Sequence, residues 1–199
     1  MITNQEYFAQ YMSDIQAEAG AEEDFCEVTF TEEMCDFLVE EAVIDAYDAV
    51  FYKKAQQGIR IDGWNLDKVR MELSLFISDY HHESELRNLT QTDADKFFKR
   101  AIRFFKKSIS EDFYQTELDE SDPAYGVARD ICENQESIRK IQFYLLSNAA
   151  RGERFKSLDP IKIEGYETTY DIWDISRRAN IQNSGKAKED IFIDFTEFV

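Results

Sequence analysis

The sequence is poor in the side chains that most often build metal and redox sites. Its three cysteines, Cys26, Cys35 and Cys132, are an odd number with no C-x-x-C pair, so neither a zinc cage nor a dithiol motif is on offer. They are read as reduced packing residues, and Cys132 has no histidine nearby in sequence to make it a nucleophile. The two histidines, His81 and His82, are adjacent and followed by Glu83. Neighbouring side chains point apart, so a polar loop is the simpler reading than a shared metal. No apolar run approaches the ~18 residues that cross a bilayer, and the start MITNQEYFAQ lacks a basic segment leading into an apolar one. The expectation is a soluble, cytoplasmic protein with no membrane partner. Internal repeats, low-complexity tracts and Gly/Ser/Pro-rich linkers are missing too, which favours one compact unit.

One sign of charge is missing from a whole quarter of the chain. Residues 1–50 hold fourteen Asp or Glu and no Lys or Arg, so they account for −14 of the net −18, and the rest of the 199 residues carry −4. A uniformly acidic surface repels nucleic acid, but here the acid belongs to one segment and the body is nearly balanced. Sixteen Phe and ten Tyr supply core material that a disordered acidic chain would lack. The length suits a single domain, read as an acidic helical extension over 1–50 packed on a core over 51–199.

Spacing of apolar residues gives the elements. Tyr7, Phe8, Tyr11, Met12 and Ile15 make one stripe of a helix over 3–19, with Gly20 as its stop. A second helix is predicted from a cap at Thr31, through Met34, Phe37 and Leu38, as far as VEEAVIDAY. Its acids face outward, and a solvated surface is a simpler reading of them than a dock for a basic partner. The period then falls to two: strands over 59–66 and 69–80 form a hairpin turning near Asn65, Asp67 and Lys68. A helix over 90–109 carries Phe97, Phe98, Ala101, Ile102, Phe105 and Ile109 on one side, and another follows with Ser121 or Asp122 as cap and Pro123 in its first turn. Residues 138–147, IRKIQFYLLS, read as a buried central strand. After a loop over 151–159 come strand, turn, strand and a helix opening near Asp171 or Asp174, and EDIFIDFTEF reads as one more strand. Ending inside an element suggests part of a longer protein. The fold class is α/β, a mixed β-sheet flanked by helices.

Chemistry, if present, concentrates on the hairpin. Asp62 sits in IDG, and Asp79 ends the row Val69, Met71, Leu73, Leu75, Ile77 on the same strand phase. Two carboxylates at the open end of a hairpin are suited to share a hard cation. The competing readings are a turn residue for Asp62 and a solvated strand end for Asp79. In KFFKRAIRFFKK, residues Lys96, Lys99, Arg100, Arg103, Lys106 and Lys107 occur with no acid among them. That surface is suited to phosphates or to an acidic partner, including the chain's own N-terminal helices; the plainer reading is the solvent face of an amphipathic helix.

The segments GIRIDG, LSLFISDY, LTQTDADKFFKR, KIQFYLLSN and YDIWDISR, in that order, resemble the N-terminal region of abortive phage infection (AIPR) proteins over roughly residues 30–195. The hairpin and the helix after it are similar to the restriction-endonuclease-like core of PD-(D/E)xK nucleases. That resemblance implies a first aspartate, matched by Asp62, then an acid or glutamine on the next strand holding a divalent metal, and a lysine two residues on that orients water. Ile77 and Asp79 occupy those last two slots, so a ligand is apolar and the cation is an acid. Activity would need Asp79 to replace the ligand and Lys96 or Lys99 to replace the lysine, with Mg²⁺ or Mn²⁺ as cofactor. The resemblance therefore implies a nuclease-like scaffold for assembly or sensing in bacterial phage defence, with no cofactor. Its alternatives are an active endonuclease using Asp62 and Asp79, and a noncatalytic nucleic-acid-binding module working through Lys96, Lys99, Arg100 and Arg103. The partners implied are the rest of a longer chain, a second copy and nucleic acid.

Overall fold

The computed structural model describes residues 3–22, 25–152, 155–156 and 158–185. Helix α1 spans Asn4–Glu22 and α2 Cys26–Glu40; strands β1 (Asp48–Lys54), β2 (Ile59–Asp67), β3 (Glu72–Asp79) and β4 (Asn88–Leu89) precede α3 (Gln91–Ser108). Then come α4 (Ala124–Asn134), β5 (Lys140–Ser147), β6 (Ala150–Arg151), β7 (Ile161–Ile163), β8 (Tyr166–Asp174) and α5 (Ile175–Gly185). The strand expected in EDIFIDFTEF lies outside the described residues.

Six strands form a mixed sheet in the order β1-β2-β3-β5-β8-β7. The neighbours β3, β5 and β8 run parallel; β1, β2 and β7 run antiparallel to the strands they pair with. Strand alternation sends Leu73, Leu75 and Ile77 of β3 and Ile141, Phe143 and Leu145 of β5 to one face, where Phe98, Ala101 and Phe105 of α3 and Ile131 of α4 meet them. The other face presents Phe76, Tyr144, Leu146 and Trp173 to Phe8, Tyr11, Met12 and Ile15 of α1 and Phe30, Met34 and Leu38 of α2. Strand β5 is apolar on both sides because helices cover both sides, as its sequence predicts. The α/β class with a mixed sheet flanked by helices is thus the observed one.

Several boundaries differ, each for a local reason. Helix α2 begins at Cys26, so Thr31 is not a cap; it lies buried within the helix, with its Oγ1 bonded to the Glu27 carbonyl and to Ser78 Oγ, both at 2.7 Å. The helix ends near Ala42, which has φ +54°, and after a short connection over 43–47 comes β1, a strand the sequence reading omits and which crosses position 50. The hairpin turns later than predicted. Asp67 Oδ1 accepts from the amides of Val69 (2.8 Å) and Arg70 (2.9 Å), Met71 takes φ +54°, and Val69 is 94% exposed. The inward row therefore starts at Leu73. Before α4, the Asp122 carboxylate turns back to the Asp119 amide (2.8 Å) and caps nothing.

Candidate functional site

Asp62 is reached through a change of phase in β2. Ile59 and Ile61 point toward α3, as do Trp64 and Leu66, so the apolar side switches from odd to even positions around Gly63. Arg60 and Asp62 face α2 instead. Arg60 Nε donates to both Asp62 oxygens (2.8 and 2.9 Å), and its Nη2 donates to Glu27 Oε1 on α2 (2.6 Å). Asp62 Oδ2 also accepts the Ser78 amide at 2.7 Å, standing in for a ladder bond where the β2–β3 register ends at Gly63 and Phe76. The Asp62 side chain is 4% exposed. Burial pushes its carboxyl upward, with Arg60 and the Ser78 amide pulling back. For Arg60, burial pulls downward, but Asp62 and Glu27 outweigh it and the guanidinium stays charged. A small depression beside Phe25, Cys26, Phe51 and His82 reaches this pair.

Asp79 belongs to a different group on the other face. It keeps the phase of Leu75 and Ile77 and stands in register with Ser147 and, through it, with Asp174. The carboxyl ends of the three parallel strands thus present Asp, Ser and Asp side by side, the edge at which open α/β sheets bind ligands. Asp79 is 1% exposed, and it accepts from Arg87 Nη2 (3.1 and 2.9 Å) and Ser147 Oγ (2.9 Å) while His81 Nε2 lies 2.5 Å from Oδ1. His81 is held in turn by Asn148, whose Oδ1 accepts the His81 amide (3.1 Å) and whose Nδ2 donates to the His81 carbonyl (2.7 Å). Asp174 accepts from the Arg151 amide (3.1 Å), Arg151 Nε (2.6 Å) and the Arg177 amide (2.8 Å), which makes it the cap of α5. Strands β4 and β6 pair across this edge, and beside them opens a cleft of about 790 Å³ lined by Leu86, Asn88, Thr90, Gln91, Arg151 and Phe155.

Asp62 and Asp79 therefore share no partner and face opposite helical layers. The two histidines also part: His81 turns to Asp79, and His82 packs edge-on against Tyr80 with ring centroids 4.8 Å apart. Among the described residues, no group of three or more His, Cys, Asp or Glu is arranged to hold a metal ion. Arg60, Arg87 and Ser147 were not singled out by sequence reasoning. A signal for the strand-end set existed, since three apolar runs, LFISD, YLLS and IWD, each finish in a polar residue.

The basic residues of α3 do come together. Lys96, Lys99, Arg100 and Arg103 line one concavity of about 320 Å³ with Lys53 of β1 and the turn at Gly58. Lys106 and Lys107 lie outside it, paired with Glu164 and Glu117 (each 2.7 Å).

The family model for the abortive infection phage resistance protein N-terminal domain matches residues 30–180. The chain belongs to that family. Searches of curated proteins and of solved structures find no match. The abortive-infection match begins inside α2 and ends inside α5, so it takes in the whole six-stranded sheet, α3 and α4. It contains the Arg60–Asp62 pair, the strand-end set around Asp79 and the basic concavity, while α1 precedes it. Membership ties the chain to abortive-infection phage resistance. Among the described residues, no helix is long and apolar enough to cross a membrane.

Proposed function

We propose that this abortive-infection domain is a noncatalytic, nuclease-like scaffold that serves assembly or sensing in a bacterial phage-defence protein. The hairpin β2–β3, the helical crossover through α3 and α4 and the parallel strand β5 support this reading, since the resemblance to a nuclease-like core leads one to expect that order. The observation that carries the noncatalytic reading is the occupancy of Asp62. Its carboxylate is saturated by a guanidinium and a backbone amide inside the fold, so a divalent ion would have to displace Arg60 and leave that buried guanidinium with Glu27 as its remaining counter-charge. Ile77, in the slot for a second ligand, is fully buried in the core beneath α3, and Asp79 is engaged by Arg87 and Ser147.

The test is cleavage of DNA and RNA substrates by the purified chain with Mg²⁺ or Mn²⁺. No metal-dependent cleavage above a protein-free control is expected, and no heat of Mn²⁺ binding by calorimetry. Cleavage that disappears in Asp62→Asn or Asp79→Asn variants with unchanged melting midpoints would overturn the scaffold. Asparagine is the variant of choice because it keeps an oxygen to accept the Ser78 amide, whereas Asp62→Ala removes both oxygens that buried Arg60 and Ser78 bond and confounds lost activity with lost folding.

A further inference from the structure

The basic concavity has features that the scaffold reading does not use. Five cations line it, Lys53, Lys96, Lys99, Arg100 and Arg103, and no acid does. Lys96 has Asp93 at 3.3 Å; among the described residues, the other four have no carboxylate within 4.0 Å. In a chain of net charge −18, five cations drawn together with Asp93 as the carboxylate beside one of them are out of keeping with the rest of the surface. Their mutual repulsion is relieved when an anion joins them. Arg100 is steadied over the Phe97 ring, 5.5 Å from its centroid. Gly58 adopts φ +63°, and a β-carbon there would collide with the Arg103 guanidinium, so the missing side chain is what lets Arg103 seat against the wall.

The lining also selects the class of ligand. No aromatic ring is among the lining residues, so no aromatic platform for a base is offered. Two guanidinium forks and three ammonium groups suit tetrahedral, multiply charged oxyanions, and five cations exceed what one carboxylate neutralises. The volume lies at the small end of ligand sites. Acidic α1 and α2 cover the opposite face of the sheet, so they do not fill or mask the concavity.

We propose that this concavity binds closely spaced phosphate groups, supplied either by a free oligophosphate or by consecutive backbone phosphates of a nucleic-acid strand. The site stands independently of whether the domain cleaves anything.

Binding of tripolyphosphate and of fluorescein-labelled single- and double-stranded oligonucleotides to the full chain tests it. Tripolyphosphate is expected to bind, with affinity falling about tenfold or more in Lys99→Glu and Arg103→Glu. Lys162→Glu, which changes net charge by the same amount away from the concavity, is expected to leave binding intact. If oligonucleotides bind as well, are displaced by tripolyphosphate and show a log–log salt slope on the order of −3, the strand is the source. If tripolyphosphate alone binds, the source is a free oligophosphate. Equal losses in all three variants, equally tight capture of poly-glutamate, or no tripolyphosphate binding at low salt would overturn the proposal. Thermal unfolding of each variant separates lost binding from lost structure. Cleavage of a bound oligonucleotide would count against the scaffold reading and leave this site standing.

Discussion

Asp62 is bonded to a residue two positions earlier in its own strand, and that short loop of interactions has an energetic consequence. Arg60 and Asp62 are both buried, and each satisfies the charge that the other brings inside. Removing Asp62 leaves buried Arg60 with Glu27 as its remaining counter-charge and orphans the Ser78 amide, so Asp62→Ala is expected to cost about 3 kcal/mol in urea unfolding. Replacing both with apolar residues, Arg60→Met with Asp62→Leu, removes the desolvation burden along with the attraction and is expected to recover part of that loss, the Ser78 amide still lacking its acceptor. A double variant as unstable as the single would mean that the orphaned Ser78 amide, and not the charge of Arg60, sets the cost. Sequence alone could not foresee this pairing. Arg60 lies on the side of β2 that an amphipathic reading assigns to solvent, and only the packing of α2, with Glu27 above it, turns that side inward.

At the level of elements, α3 was fully legible and β1 was not, and the difference lies in local signals. Helix α3 has phenylalanines at helical spacing and a cap: Thr90 Oγ1 accepts the Asp93 amide (3.2 Å) and donates to Asp93 Oδ2 (2.6 Å). Strand β1, DAVFYKK, is a partly exposed edge strand of seven residues with an irregular register, and it follows apolar residues that read equally well as helix. The hairpin turn was misplaced because Val69 and Met71 prolong the alternation into residues that the Asp67 side chain bends outward. The cap makes a pH-dependent prediction. The Thr90 hydroxyl, with help from Lys96, holds the Asp93 carboxyl below its ordinary value. A lowered folded value means stability that is present above the unfolded carboxylate range and lost as pH falls through the folded one. Thr90→Ala is therefore expected to cost about 1 kcal/mol at neutral pH, and the gap from wild type to narrow once Asp93 is protonated. A gap that stays constant with pH in urea unfolding would remove Asp93 from the cap's energetics.

Across the whole molecule, the division into an acidic segment and a balanced body becomes a division between two sides of one sheet. The acids of residues 1–50 sit mainly on α1 and α2, over the face bearing Phe76 and Trp173, while the cations of α3 lie over the other. Arg178 of α5 ties the acidic layer together: it donates to Tyr7 Oη (2.8 Å), lies 4.1 Å from the Tyr11 ring centroid and pairs with Glu33 of α2 (3.5 Å). Asn4 and Tyr7 of α1 also reach Ser176 and Gln182 of α5 (2.9 and 2.8 Å). Helix α1 is thus built into the sandwich although it precedes the residues matched by the family. Its Phe8, Tyr11, Met12 and Ile15 are all buried, and at roughly 1.5–3 kcal/mol for each large side chain their removal rivals the whole stability of a domain, roughly 5–15 kcal/mol. Deleting residues 1–22 is therefore expected to give a chain that binds the dye ANS, loses its cooperative melt and aggregates through the uncovered face. Retention of a sharp melt near the wild-type midpoint would show that α2 and α5 close over that face without it, and that α1 is an appendage after all.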